Sequence, residues 1–452
     1  MSSNTDTRQH WGSRLGFLMA CAGSAIGLGN IWKFPYIAGE NGGGLFIFIY
    51  LICIFAVGIP IMVCEFAIGR ASQKSPVEAF GQLSGESRGW RGVGWLGVLA
   101  AFVLLSYYSV VAGWAMHYVY LSLTGFGGAS DAGAIGSIFG RIYADGAVNL
   151  LWHAVFMGLT TAIVLGGVQS GIERASRVLM PALFGIMVLL LIKAATMPGF
   201  GKAFEFVFSP DASKLKPAGV LEALGHSFFT LSLGMGAMMT YGSYLDKDFD
   251  IVRSSVFISV MDTGVALLAC LIMYPIIFSF GMDPQAGPGL VFKSMPIVFA
   301  QMPFGMGFSM VFFILLTFAA LSSAISLLEV VAAYMIDSRG FSRKSAALIP
   351  AAAIFAFGIP SALSGGVLSG ITILGERNFF DTMDYLCSNW MMPLGGLFTA
   401  LFVGYRMDVE LIKKEFRTAP GLEKFFSSWF YTVKYVCPLA VTAVFLHMIG
   451  LF

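Results

Sequence analysis

The amino-acid sequence predicts an all-α membrane protein with about eleven transmembrane helices. Hydrophobic residues fill 57% of the 452 positions and charged residues only 12%, whereas a soluble domain carries about 25% charged residues. The mean hydropathy is +0.80. This composition excludes a disordered chain, a coiled coil and an ordinary cytosolic enzyme.

Eleven apolar stretches are long enough to cross a bilayer, for which a helix needs about 20 residues. The predicted spans cover residues 14–37, 42–69, 92–123, 150–168, 174–195, 221–245, 251–280, 305–336, 344–360, 378–405 and 425–450. The segments between them contain Gly, Pro and charged residues, which favour turns at the membrane surface.

The distribution of basic residues predicts the orientation in the membrane. Most of the 27 Lys and Arg residues lie in segments that the predicted spans place on the same side of the membrane as the N-terminus. Segments rich in Lys and Arg stay in the cytoplasm. We therefore predict a multi-pass protein of the plasma membrane, in bacteria the inner membrane, with a cytoplasmic N-terminus and, after eleven spans, an outer C-terminus. The net charge of +2 gives no electrostatic reason to expect a nucleic-acid partner. The oligomeric state is not predicted.

Two of the predicted spans contain glycines that weaken a helix. Residues 22–30 and 229–237 each contain Gly-x-Gly near the middle of an apolar run, where each Gly costs about 1 kcal/mol relative to Ala. Each run begins a set of five spans, and such paired interruptions are typical of transporters built from inverted repeats. The ends of a broken helix can bind an anion and a cation together. The alternative is close helix packing, because Gly23 and Gly27 also form a GxxxG motif.

The motifs around these breaks resemble those of the neurotransmitter:sodium symporter family. The likeness extends over almost the whole chain and is carried by the runs Trp11 to Gly16, Gly23 to Asn30, Phe34-Pro35, Glu40 to Gly44, Gly58 to Pro60, Glu65 to Arg70, Phe228 to Gly236 and Leu321 to Ser323. The motifs are most similar to those of bacterial sodium-coupled transporters of hydrophobic amino acids. The resemblance implies one transporter domain over 1–452 with a leucine-transporter-like fold. Its first repeat would be 11–197, its second repeat 218–405 and its extra helix 425–450.

The resemblance also implies two sodium sites made of oxygen ligands. The first would use the Ala25 carbonyl, the Asn30 side chain, the Thr230 carbonyl and hydroxyl, and Asp262. The second would use the carbonyls of Gly23, Ile26 and Ala319 and the hydroxyls of Ser322 and Ser323. From the residues alone, the two serines could equally bond back to their own helix.

Asp262 is the residue that the sequence itself singles out. It lies in an otherwise apolar predicted span, and an intramembrane carboxylate is expensive enough to indicate a function. A structural acid paired with a buried hydroxyl or amide is the alternative. Many relatives have Asn here and obtain negative charge from chloride or from a Glu one turn later, where this chain has Ala266. We therefore predict that transport requires no chloride.

The resemblance further implies a pocket for an amino acid. Its residues would be Ser24, Ala25, Leu28, Gly29, Leu104, Tyr108, Phe229, Thr230, Ser232, Met235, Ser323 and Leu327. Amine-transporting relatives have Asp where this chain has Gly27, so the substrate is expected to bring its own carboxylate. Met235 is flexible and favours a broad range of neutral hydrophobic side chains, including aromatic ones.

Gates and a hinge follow from the same likeness. Arg8 and Asp337 would form the cytoplasmic ion pair, with Ser243 or Tyr244 nearby, and Lys33 and Asp384 the outer pair, above a lid of Tyr108 and Phe229. Gly171 and Pro181 bracket nine residues that would unwind to open a water path to the second sodium site; a kink without a gating role is the alternative. We therefore predict a symporter and not an enzyme; the other functions considered are a channel, an intramembrane enzyme, an amino acid sensor with little transport, and a symporter for another small zwitterion. A channel is disfavoured because the polar residues do not form repeated rings, and an enzyme because no span carries a catalytic motif.

Overall fold

The computed structural model describes residues 9–128, 131–211, 215, 217–246, 249–282, 284, 290–417 and 421–448. These residues form helices joined by short loops, and the only strand-like pairing among them is an isolated bridge between Leu374 and Arg377. Within this part of the chain, nine helices are long and apolar enough to cross a membrane, and ten if one bent pair counts as a single span.

We number the membrane-spanning segments as spans 1 to 11. They are Arg14–Ala25 with Gly29–Glu40, Gly44–Ser72, Arg88–Leu123, Gly146–Leu165, Val168–Ala195, Pro217–Thr230 with Ala237–Gly242, Ile251–Ser279, Gly305–Arg339, Arg343–Leu363, Phe379–Tyr405 and Glu423–His447. Each corresponds to one predicted span. Span 6 is missing from the long helices because its break leaves two short pieces.

Shorter helices connect the spans. Pro76–Leu83 follows span 2, Ala132–Ala144 follows span 3, and Phe200–Phe208 follows span 5. Met295–Gln301 precedes span 8, and Val409–Arg417 lies between spans 10 and 11. Among the described residues, spans 3 and 8 share the most extensive helix–helix packing, and they form a long buried wall against which the broken spans lie.

Both predicted breaks are present. Span 1 bends by 44° between Ala25 and Gly29. In span 6 the helix stops at Thr230, and Ser232, Gly234 and Gly236 have φ values of 55°, 78° and 75°. Gly234 also lies close to span 10, where an added Cβ would come within 2.0 Å of the Met392 carbonyl oxygen. The break therefore needs glycine both for its backbone conformation and for its packing.

Side chains satisfy backbone groups that the breaks release. The Gly27 N–H donates to Asn30 Oδ1 at 3.0 Å, and the Leu28 N–H donates to the Tyr108 hydroxyl at 3.1 Å. In span 6 the Gly234 N–H donates to the buried Glu65 carboxylate at 2.6 Å. An unpaired backbone group in hydrocarbon costs several kcal/mol, so these contacts explain how two interrupted helices are tolerated inside the membrane.

Candidate functional site

A central cavity lies where the two breaks meet. Its volume is about 20 Å³, which is about enough for one water molecule and far below the range for small-molecule pockets. The residues that line it are Ser24, Ala25, Gly27, Gly29, Leu104, Tyr108, Phe229, Ser232, Met235, Ser323 and Leu327. Ten of these were predicted as pocket residues. Of the other predicted pocket residues, Leu28 reaches the site through its amide and Thr230 lies beside it, next to Asp262.

Gly27 explains why one wall of the cavity is close to span 8. A Cβ atom at this position would be 2.5 Å from Ser323 Oγ and 2.9 Å from the Tyr108 hydroxyl. Heavy atoms do not approach so closely without a shift, so a larger residue would displace one of the two hydroxyls. The Ser323 and Tyr108 hydroxyls can therefore occupy their positions in the cavity wall only because residue 27 has no side chain.

Asp262 is the centre of a buried polar cluster. Its side chain is fully buried and its Oδ1 accepts hydrogen bonds from Asn30 Nδ2 at 2.7 Å and from the Thr230 hydroxyl at 3.0 Å. The Tyr50 hydroxyl donates to Oδ2 at 3.4 Å. The structure thus brings together three of the four residues predicted for the first sodium site. The fourth, Ala25, lies in the wall of the cavity at the end of the first half of span 1.

A second cluster of oxygen atoms joins span 1 to span 8. Ser322 Oγ is 3.4 Å from the Ile26 carbonyl oxygen and 3.0 Å from that of Ala319. Ser323 Oγ is 3.3 Å from the Gly23 carbonyl oxygen. All five residues predicted for the second sodium site therefore lie together. Such neutral oxygen atoms are the ligand type that hard cations prefer.

On the side predicted to face outward, an ion pair and two aromatic rings lie next to the central cavity. Lys33 Nζ is 3.9 Å from Asp384 Oδ1 and 4.6 Å from the centre of the Phe229 ring. The Tyr107 hydroxyl also donates to Asp384 at 3.0 Å. An outer cavity with a volume of about 400 Å³ contacts Lys33, Phe229, Asp384 and Tyr108. Phe229 and Tyr108 line both cavities and separate them.

The side predicted to face the cytoplasm is closed by contacts between span 6 and the N-terminal segment. The Trp11 indole N–H donates to the Tyr241 carbonyl at 3.0 Å, and its backbone N–H donates to the Tyr244 carbonyl at 3.2 Å. Arg8 lies outside the described residues, so the predicted pair with Asp337 stays a prediction. Asp337 accepts a hydrogen bond from the Ser75 N–H at 2.5 Å.

The predicted hinge is helical in this structure. Span 5 runs unbroken from Val168 to Ala195 and begins with a π-helical turn that contains Gly171. Pro181 lies inside the helix. A Cβ at Gly171 would be 2.1 Å from the Ile163 carbonyl oxygen, so the close approach to the end of span 4 requires glycine.

Several buried residues near the site were not assigned roles from the sequence. Glu329 of span 8 is fully buried, pairs with Arg343 at 2.6 Å and accepts a hydrogen bond from the Tyr244 hydroxyl at 2.6 Å. A carboxylate within an apolar span is the signal that identified Asp262, and the same reasoning could have found Glu329 and Glu65. Ser326, which accepts a hydrogen bond from Ser24, gives no such signal because serines are common in spans.

Known proteins of similar sequence and structure identify the family of this chain. Residues 8–127 and 138–452 match the model of the sodium:neurotransmitter symporter family. An uncharacterized sodium-dependent transporter of Bacillus subtilis, YhdH, is 41% identical, with 98% of each chain covered. One from Methanocaldococcus jannaschii is 32% identical over 97% of this chain and 89% of the relative.

Among solved structures, MhsT in complex with L-phenylalanine is similar to this chain with a TM-score of 0.90 and 42% identity, covering 97% of this chain and 99% of MhsT. The predicted leucine-transporter-like fold is therefore confirmed, and so is the prediction that the chain is not an enzyme. The family match and these relatives support sodium-coupled transport across a membrane. The chain belongs to the sodium:neurotransmitter symporter family.

Proposed function

We propose that the protein is a chloride-independent symporter that couples sodium entry to uptake of neutral hydrophobic and aromatic L-amino acids. The observation that carries this proposal is the central cavity at the two helix breaks. Its lining combines the Gly29 backbone and the Tyr108 hydroxyl, which accepts from the Leu28 N–H, with the apolar side chains Leu104, Met235 and Leu327. This combination suits a zwitterionic head group followed by an apolar side chain.

The head group would bind at the break of span 1. Its carboxylate would contact the amides of Leu28 and Gly29, the Tyr108 hydroxyl and the first sodium ion, because the amides at the start of a helix attract anions. Its ammonium would meet the carbonyls of Ala25, Phe229 and Thr230 and the hydroxyl of Ser232.

Gly27 favours an amino acid over an amine. An acidic side chain at this position would take the place of a substrate carboxylate, and the glycine leaves that place to the ligand. The L-phenylalanine bound to MhsT supports a neutral amino acid with an aromatic side chain as the ligand class.

Two sodium ions would bind beside the substrate. The first would use Asn30, Thr230, Asp262 and the Ala25 carbonyl, and the second the oxygen cluster between spans 1 and 8. A carboxylate next to the first ion supplies the negative charge that a bound chloride would otherwise provide. With alanine at position 266, no second acid stands one turn further along span 7, so Asp262 would carry this role alone.

Alternating access would use the contacts on either side of the cavity. Release of the Lys33–Asp384 pair and movement of Phe229 would open the outer path. Loss of the Trp11 contacts and of the Arg8–Asp337 pair, with unwinding of span 5 between Gly171 and Pro181, would open the inner one. The N-terminus would lie in the cytoplasm and the C-terminus outside.

A binding screen followed by transport tests this function. The purified full chain is heated with each of the twenty amino acids in sodium chloride, sodium gluconate and choline chloride. We expect Phe, Tyr, Trp, Leu, Ile, Val and Met to stabilise the protein in both sodium salts. We expect no stabilisation in choline chloride. Proteoliposomes should then accumulate the same amino acids under an inward sodium gradient. Equal stabilisation in choline would contradict sodium coupling, stabilisation by glycine or alanine alone would contradict the ligand class, and binding without accumulation would indicate a sensor.

A further inference from the structure

A groove opens between the first turns of span 3 and span 10. Its volume is about 360 Å³, within the range of about 300–1,000 Å³ for small-molecule pockets. It shares no lining residue with the central or the outer cavity. The residues that line it are Ser87, Gly89, Trp90, Gly92, Val93, Leu96 and Phe398. The groove is therefore a separate, mostly apolar site where two spans meet.

Two glycines of span 3 leave the space for this groove. Apart from its own helical turn, a Cβ atom on Gly92 would meet nothing within 4 Å, and one on Gly89 would meet only Ser87 Oγ, at 3.9 Å. Neither position therefore needs glycine to avoid a clash, in contrast to Gly27. Since glycine also destabilises a helix relative to alanine, its effect here is to keep the surface beside Trp90 open.

The groove continues into an exposed face of span 3. Gly92, Trp95 and Leu99 follow one another at steps of three and four residues, so they share one face of the helix, and all three are exposed. In a membrane-spanning helix such a face contacts lipid. Trp90 and Trp95 also mark the level of the groove, because tryptophan is enriched where a membrane meets water. The groove thus lies at the membrane boundary and opens toward the hydrocarbon.

Two arginines without an acidic partner belong to the ends of these helices. Arg88 lies between two lining residues in the first turn of span 3, is exposed, and has no side-chain ion pair or hydrogen bond among the described residues. Arg406, which follows span 10, is exposed and donates to the Ser84 carbonyl at 2.7 Å. The Ser84 hydroxyl in turn accepts from the N–H of the lining residue Ser87 at 3.2 Å, so Arg406 is held beside the groove.

We propose that this groove binds an acyl chain of an anionic phospholipid, whose phosphate is held by Arg88 and Arg406. The chain fits the apolar walls, and the negative head group fits two guanidinium groups that have no carboxylate partner. The third arginine nearby, Arg91, is already compensated by Glu78 and Glu86. A zwitterionic phospholipid offers the same chain, but its own cation would oppose the arginines. The site is separate from the proposed substrate site, and its test does not depend on transport.

The expected preference follows from the number of free arginines. Each basic side chain near a membrane surface favours an anionic lipid about fivefold. With two such side chains, the groove should prefer phosphatidylglycerol over phosphatidylcholine by about 5- to 25-fold.

Quenching of Trp90 fluorescence by brominated lipid tests this proposal. The full chain is reconstituted into phosphatidylcholine vesicles with increasing mole fractions of either phosphatidylglycerol or phosphatidylcholine that carries a dibrominated acyl chain. Subtraction of the signal of Trp90→Phe isolates this ring from the other tryptophans. We expect brominated phosphatidylglycerol to quench Trp90 half-maximally at about one fifth, or less, of the mole fraction that brominated phosphatidylcholine requires.

Two variants, each measured with and without Trp90, separate the chain from the charge. Gly92→Leu should fill the groove without a clash, because the space around its Cβ is empty, and the two brominated lipids should then quench Trp90 equally. Arg88→Gln keeps the groove and should lower the preference for the anionic lipid about fivefold. Gly158→Leu is the matched control, since this exposed glycine of span 4 also has no neighbour within 4 Å and does not line the groove; it should keep the preference.

Equal quenching of Trp90 by the two brominated lipids in the unchanged protein would overturn the proposal, because the groove would then hold bulk lipid without selection. A preference that persists in Gly92→Leu would also overturn it, since the anionic lipid would be binding elsewhere near Trp90. If Gly92→Leu does not reconstitute, Gly89→Leu fills the same groove and should abolish the preference in the same way.

Discussion

Replacement of Asp262 by Asn tests where the negative charge of the ion site comes from. The carboxylate is fully buried and accepts hydrogen bonds from Asn30 at 2.7 Å, Thr230 at 3.0 Å and Tyr50 at 3.4 Å. These three groups are neutral donors. The asparagine keeps the size and one oxygen but removes the charge, and its amide nitrogen in place of Oδ2 would donate to the Tyr50 and Thr230 hydroxyls instead of accepting from them.

The expected loss of sodium affinity is large. Two unit charges about 4 Å apart attract each other by about 4 kcal/mol at an effective dielectric constant of about 20. The retained amide oxygen still coordinates and the protein relaxes, so we expect roughly half to two thirds of this energy to be lost. Because 1.4 kcal/mol corresponds to a factor of about ten, the half-saturating sodium concentration should rise by about 30- to 100-fold in chloride-free buffer.

The assay is sodium-dependent uptake of labelled substrate into proteoliposomes in gluconate salts, with sodium varied at fixed total cation. Asp250→Asn is the matched control. Asp250 caps the start of the same helix through the Arg253 N–H at 2.9 Å, and Asn caps helices as well as Asp does, so its sodium curve should equal that of the unchanged protein. An unaltered sodium curve for Asp262→Asn without chloride would refute the assignment of the charge to Asp262.

Three further predictions concern substrate class, the outer gate and the hinge. Gly27→Asp should weaken amino acid binding at least about tenfold, because its Cβ would lie 2.5 Å from Ser323 Oγ and its charge would oppose the substrate carboxylate; unchanged dissociation constants would contradict this head-group position. Lys33→Ala should speed substrate release to the outside about threefold to tenfold, which is the effect expected for loss of a partly exposed ion pair and a cation–π contact. The release rate is measured by dilution of bound radiolabel, and an unchanged rate would exclude a gating role. Pro181→Ala should restore the missing helix hydrogen bond and slow uptake about tenfold while equilibrium binding in sodium changes less than twofold; equal uptake would leave Pro181 as a kink only.

The spans and both breaks could be predicted because their signals are local. A run of about 20 apolar residues and a Gly-x-Gly within it are visible without any tertiary contact. Span 5 was harder to delimit. It begins at Val168 in the structure and not near residue 174, because a π-helical turn continues the helix through Gly171. From the sequence alone, a glycine at this position favours a loop over a helix.

The contacts within the site could be predicted only in part. Asp262 could be identified from its charge within an apolar span, whereas its partners Asn30 and Thr230 were identified through the likeness to a family. Ser326 could not be distinguished from a serine that bonds to its own helix, as Ser255 does. The contact between Ser326 and Ser24 depends on how spans 1 and 8 are packed, and these two serines are more than 300 positions apart in the sequence.

The two oxygen clusters also suggest how ion binding and substrate binding are linked. The cluster around Asp262 joins spans 1, 6 and 7, while the cluster around Ser322 joins span 1 to span 8 of the long buried wall. A cation in the second cluster would hold span 1 against that wall, and loss of the cation would weaken this attachment because its ligands would keep only their neutral hydrogen bonds. Ser323 contacts the Ser24 carbonyl and also lines the cavity, so the same displacement of span 1 would enlarge the cavity. Release of sodium and release of substrate to the cytoplasm would then be consequences of a single movement.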